Sequence, residues 1–122
     1  MDFKELKSQE DISELMMKFE YFKDCSIKEL NYITEADSKR SVTIIFENQF
    51  AECPAIEMQF NQIENIGLEL LKEDYVWHIY EVSLMKIDNL FYWGEWNDFK
   101  GGTGNNIHGT WISAGEIRWR GV

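Results

Sequence analysis

The chain carries two thiols, Cys25 and Cys53, and two imidazoles, His78 and His108, and these groups are the ones best suited to nucleophilic or metal chemistry. A cysteine beside a histidine acts as an activated nucleophile when the fold brings the two within hydrogen-bond reach. Nothing in the spacing does so here, and neither cysteine lies in a recognisable nucleophile motif. Cysteine is also a common small buried residue, and that role is the preferred one. Zinc takes three or four ligands, usually in closely spaced pairs. The cysteines lie 28 positions apart and the histidines 30. No metal, no cofactor and no catalytic residue is therefore expected.

Lys100-Gly101-Gly102-Thr103-Gly104 has the composition of a phosphate-binding loop in the wrong order. A P-loop places its lysine after the glycines, between a strand and a helix. Here the lysine comes first and a strand is expected to follow, so the segment reads as a hairpin tip. Any role for it is contact with a partner. Glu57, Glu81, Asp88 and Glu95 are able to line a site, but solvated strand faces explain them equally well in a chain with 22 acidic residues.

The aromatic residues carry more. All five tryptophans fall between Trp77 and Trp119, and Leu90-Phe91-Tyr92-Trp93-Gly94-Glu95-Trp96 is followed, after a Gly/Asn-rich loop, by Trp111 to Arg120. Two aromatic arms joined by a loop read as a β-hairpin. Trp93, Glu95, Trp96 and Trp111 are the candidate partner-binding residues, since exposed indoles are frequent interface anchors. Alternation sets Phe91 and Trp93 opposite Tyr92. Either some of these rings are exposed, or both faces of the hairpin are covered, one of them by a helix; the covered arrangement is preferred.

That helix opens at Ser8, which offers an N-cap hydroxyl ahead of Glu10 and Asp11. Ile12, Leu15, Met16 and Phe19 then recur at i, i+3, i+4 and i+7. Strands are expected over Cys25–Thr34, with a bulge where the apolar face changes, and over Ser41–Glu47 and Ala55–Phe60. A turn is expected at Asn61–Asn65, followed by a strand through Ile66, Leu68 and Leu70. Val76–Ile87 reads as one long strand, and Asp88-Asn89 as a tight turn into the aromatic hairpin. The last arm puts Ile117 and Trp119 on one face and Arg118 and Arg120 on the other. No βαβ alternation is present, so the sheet should be antiparallel.

Length points to a single domain spanning 1–122 with a core of its own. The fold class is α+β: an N-terminal helix packed on a twisted, mainly antiparallel sheet of seven or eight strands, with rolling into a partial barrel left open. The formal charge of −10 is spread along the chain. It disfavours nucleic acid, which needs a basic patch, and is equally consistent with a basic protein partner steered by the acidic field and with an acidic protein that has no such partner. The N-terminus has no apolar signal region and no run is long enough to span a bilayer, so a cytoplasmic address and no membrane partner are expected.

Phe22-Lys23-Asp24-Cys25-Ser26-Ile27-Lys28-Glu29, the Pro54 to Glu57 strand start and the closing Ala114 to Arg120 strand give a resemblance from Phe19 onward. The chain resembles small bacterial proteins of unknown function, some of which are similar to immunity proteins of polymorphic toxin systems. The resemblance implies a non-enzymatic inhibitor that binds a cognate toxin, and carries over no catalytic residues. Two alternatives from other classes stand beside it. One is a small-ligand binder or enzyme with a pocket in the rolled sheet, using His78 and Glu57 or Glu81. The other is a homodimer joined through a sheet edge or the tryptophan face.

Overall fold

The computed structural model describes residues 2–68, 78–79, 82–95 and 109–122, with His78 described in its backbone alone. Trp77, Glu81, Trp96, the Lys100–Gly104 loop and His108 lie outside the described residues. Helix α1 spans Gln9–Lys18. Ser8 caps it as the sequence suggests: its Oγ accepts from Asp11 N at 3.3 Å, and Ser8 N donates to Asp11 Oδ2 at 3.1 Å. Lys7 N also donates to that carboxylate at 2.8 Å, and these backbone donors hold the Asp11 carboxyl below its ordinary range. Two reciprocal bonds satisfy backbone donors that the first helical turn leaves unpaired. The helical stripe buries Ile12, Leu15 and Phe19 and turns Met17 to solvent.

Helix α1 ends in a left-handed turn. Glu20, Tyr21 and Phe22 have φ of 52°, 56° and 61°, and Asp24 follows at 56°. Such backbone costs roughly 1–2 kcal/mol per non-glycine residue and persists only where packing over-determines it. Here the packing is aromatic: Phe19 and Phe22 are both fully buried, edge to face with centroids 5.0 Å apart, and Phe46 meets Phe22 at 5.1 Å. The reversed turn sends both phenylalanines inward and leaves Tyr21 outside.

Eight strands follow the chain as β1 (Lys4–Glu5), β2 (Cys25–Thr34), β3 (Arg40–Glu47), β4 (Ala55–Gly67), β5 (His78–Ile79), β6 (Val82–Ile87), β7 (Leu90–Glu95) and β8 (Trp111–Gly121). Seven form one path in the order β5-β2-β3-β4-β8-β7-β6, every pairing antiparallel, and β1 pairs with β8 beyond the end of β7. This is the α+β architecture that the alternating pattern calls for. Val42, Ile44 and Phe46 on β3, Ile56, Met58 and Phe60 on β4, and Ile117 and Trp119 on β8 all point into one core. The expected bulge in β2 lies between Ile27 and Glu29.

Two expectations are corrected. Asn61–Asn65 is no turn: β4 runs on to Gly67, with Gln62 at φ 56° and a register shift between Ile63 and Asn65. The polar residues that suggest a break are accommodated by a bulge. Strand β1, Lys4–Glu5, is an addition to the strands expected from the sequence. Val76–Ile87 is not one strand with one partner, because its described parts lie at opposite edges, β5 on β2 and β6 on β7. Ile79 and Val82 are three peptide links apart, a span of at most about 11 Å. The sheet must therefore curl until its edges approach each other, although no described pairing closes it into a barrel. Ile79, Val82 and Leu84 are all buried, so the odd step between the first two marks the change of edge.

The β6–β7 turn carries a strained residue that tests this description. Asp88 sits exposed at φ 55° between the paired Ile87 and Leu90. Glycine adopts that backbone without penalty. Asp88→Gly is expected to stabilise the fold by up to about 1 kcal/mol, read as a higher denaturant midpoint at unchanged slope. A loss would show that the aspartate side chain holds the turn.

Candidate functional site

Strand β7 places Phe91, Trp93 and Glu95 on the inner side of the sheet, and β8 sets Ile112 opposite Trp93. Trp93 is wholly buried. Its ring lies 5.5 Å from Phe46, 6.0 Å from Phe60 and 6.2 Å from Phe22, so four elements meet on it. Trp93, a candidate partner-binding residue, therefore lies inside the fold: the rolled sheet and the turn after α1 cover the face on which it stands. Trp96 falls outside the described residues.

Glu95, two residues on, folds against the start of β8. Thr110 N donates to Glu95 Oε2 at 2.5 Å, while Glu95 N donates to Thr110 O at 3.0 Å. Gly109 has φ +79°, and a Cβ there would stand 2.6 Å from Glu95 Oε2. Only glycine allows the carboxylate to approach so closely. Nearby, Cys25 is fully buried, and burial pushes its thiol up to about 12, with the charges of Glu95 and Asp24 acting in the same direction. A thiol so protonated at neutral pH is a poor nucleophile.

Two polar atoms at this end of the core stand out. Trp93 Nε1 and Thr110 Oγ1 are buried without a hydrogen-bond partner among the described residues. An unsatisfied buried polar group costs about 1–3 kcal/mol. Thr110→Val replaces the hydroxyl with a methyl of nearly the same shape, and is expected to raise stability by about 1 kcal/mol. A fall on chemical denaturation would instead mean that a bound water or ligand satisfies the hydroxyl.

Trp111 lies half-buried on the outer side, between two glycines: its neighbours across the strands are Gly67 on β4 and Gly94 on β7. A Cβ at Gly67 would stand 2.5 Å from Trp111 Cε2, so the indole lies directly over that backbone. Glycine inside a strand often marks such a close approach. Trp93, Glu95 and Trp111 are therefore neighbours along the β7–β8 ladder, but they face opposite sides of the sheet.

Glu57 also leaves the interior. Its Oε1 accepts from Arg120 Nε at 2.6 Å on the outer face, beside Gln59 with Arg118 and Asn61 with Glu116. Phe3 stacks against this row, with the Arg118 and Arg120 guanidinium carbons 4.9 and 4.4 Å from its ring centre. Of the residues envisaged for a pocket, His78 with Glu57 or Glu81, Glu57 lies on the opposite side of β4 from Met58 and the core, while the His78 side chain and Glu81 lie outside the described residues. Among the described residues no three His, Cys, Asp or Glu side chains gather as a metal ion would require. No helix among them is long and apolar enough to cross a membrane.

The sequence gives no signal for one further surface. Met17, Tyr21 and Phe50 are 64%, 49% and 79% exposed. A groove of about 590 Å³ is lined by Gln9, Glu10, Glu14, Met17, Glu20 and Glu52 among others, and Tyr21 lies in the chain next to Glu20 and Phe50 two residues before Glu52. No protein-family model, no curated protein and no solved structure matches this chain.

Proposed function

We propose that this chain is a non-enzymatic binding domain for a basic protein, in the manner of an immunity-type inhibitor of a bacterial toxin. The observation that carries the reading is the charge of −10, from 22 acidic and 12 basic residues. A field of that size steers oppositely charged partners and rejects like-charged ones. The filled interior argues in the same direction: Trp93, Phe46, Phe60, Phe19 and Phe22 occupy the volume in which a rolled sheet would otherwise hold a substrate. The partner then has to be met at the surface.

Affinity capture at low and high salt, followed by stopped-flow association with the recovered protein, tests the proposal. A stoichiometric basic partner whose association rate falls steeply with ionic strength is expected. Partners of neutral or acidic character, or rates indifferent to salt, would overturn it. A second reading, a small-ligand binder, draws on the unpartnered Trp93 Nε1 and Thr110 Oγ1 at the end of the core. It requires Thr110→Val to destabilise the protein, the reverse of the outcome expected above.

A further inference from the structure

We propose that the basic partner docks on the solvent face of α1 and the segments tied to its C-terminal end, and that it contributes a large apolar side chain flanked by lysines or arginines. The proposal rests on the binding-domain reading and moves the contact away from the tryptophan hairpin.

The surface is built from two segments held together at both ends. Cys53 N donates to Lys18 O at 3.4 Å, and Asn48 Nδ2 donates to Lys23 O at 3.0 Å. The 48–53 loop is thereby fastened along the stretch from Lys18 to Lys23. Asn48 is itself buried, and its Oδ1 accepts from Phe50 N at 3.0 Å. Phe50 is thus presented by an anchored loop. Tyr21 is presented by the left-handed turn, whose strain is held by the phenylalanines beneath it, and Met17 by the helix. Because these bonds already fix the backbone that carries Phe50, a partner that covers it need not order the loop as well. Methionine adds a surface that adapts to the shape of an incoming side chain.

The charges around this apolar surface select the partner. Glu10, Glu14, Glu20 and Glu52 line the groove with Met17, against the single ammonium of Lys18. Glu14 is held by Lys4 at 2.7 Å and by Lys18 at 3.3 Å. The remaining three carboxylates surround Met17 with negative potential, which disfavours an acidic or purely apolar partner and suits a basic one.

The test titrates the isotope-labelled full chain with a short synthetic peptide of alternating lysine and leucine, and with its counterpart carrying glutamate for lysine. The lysine peptide is expected to shift amide resonances of residues 9–22 and 50–53, and the glutamate peptide to leave them in place. Met17→Ser combined with Phe50→Ser changes only exposed side chains and should keep the thermal midpoint while weakening the lysine peptide by at least about tenfold. Glu10→Lys, Glu20→Lys and Glu52→Lys together should weaken it and flatten its salt dependence. Binding that maps to other residues, or that survives the serine pair, overturns this surface and leaves the basic-partner reading standing. No binding of the lysine peptide at any salt concentration overturns both. Self-association of the chain alone, abolished by the serine pair, assigns the surface to a second copy and overturns the basic occupant.

Discussion

Trp93→Ala is expected to cost about 3–5 kcal/mol, as large-to-small changes of buried aromatics do when the surroundings cannot collapse. That is a large part of the roughly 5–15 kcal/mol that holds a typical domain folded. The size follows from position. Trp93 is in ring contact with Phe22 after the helix, Phe46 on β3 and Phe60 on β4. Removing it opens a void bounded by elements that are distant in sequence, and β-ladders cannot close on the space without breaking register. Trp93→Phe keeps an aromatic ring there and removes the unpartnered Nε1–H, so it should cost far less than the alanine change. Equilibrium denaturation of both variants measures the difference. A Trp93→Ala protein with parental stability and lost partner binding would put the indole back on the surface.

Trp93 shows where pattern reading stops. Alternation on β7 correctly separates Phe91 and Trp93 from Tyr92, because strand periodicity is a local property of the backbone. Which of the two faces is covered depends on elements elsewhere in the chain. The rings that bury Trp93 come from the post-helix turn, β3 and β4, and no sequence window contains them. Alternation was sufficient where a strand has one dry face, as in Val42-Thr43-Ile44 and Ile56-Glu57-Met58. It failed across Asn61 to Asn65, where a bulge between Ile63 and Asn65 carries polar residues through a continuous ladder. The same limit applied to Phe3–Lys7, whose two-residue strand is fixed by β8 and not by its own pattern.

The candidate site was legible by composition more than by geometry. Trp93, Glu95 and Trp111 do adjoin one another, because the pairing of the hairpin sets Gly94 opposite Trp111. Their facing apart follows from the same pairing. The glycines around Trp111 and Glu95 are the usable sequence signal: Gly67 and Gly109 mark the places where an indole and a carboxylate close on backbone. The exposed surface of Met17, Tyr21 and Phe50 had no comparable mark. Tyr21 faces outward because three successive residues take left-handed backbone, which none of Glu20, Tyr21 and Phe22 favours by type.

The buried Cys25 thiol makes stability fall at high pH by an amount that can be isolated. Its value is pushed up to about 12 from an ordinary 9.0, first by burial and then by the charges of Glu95 and Asp24, against a backbone hydrogen bond that pulls it down. The folded state therefore keeps the proton over a range in which the unfolded chain has released it. Stability from this group is complete below about pH 9 and declines toward pH 12, with a slope near 1.4 kcal/mol per pH unit. The measurement is a difference that isolates this group: the stability gap between the parent and Cys25→Ala should shrink at that slope as pH rises. Glu95→Gln, which keeps an acceptor for Thr110 N, removes one of the charges that raise the folded-state value, so the decline should begin at the same pH, end at a lower one and amount to less in total. In the native protein a thiol reagent should reach the half-buried Cys53 well before Cys25, and both together only after unfolding. A constant gap between parent and alanine variant would mean that the thiolate is tolerated in the fold, and that the end of the core beside Glu95 admits solvent.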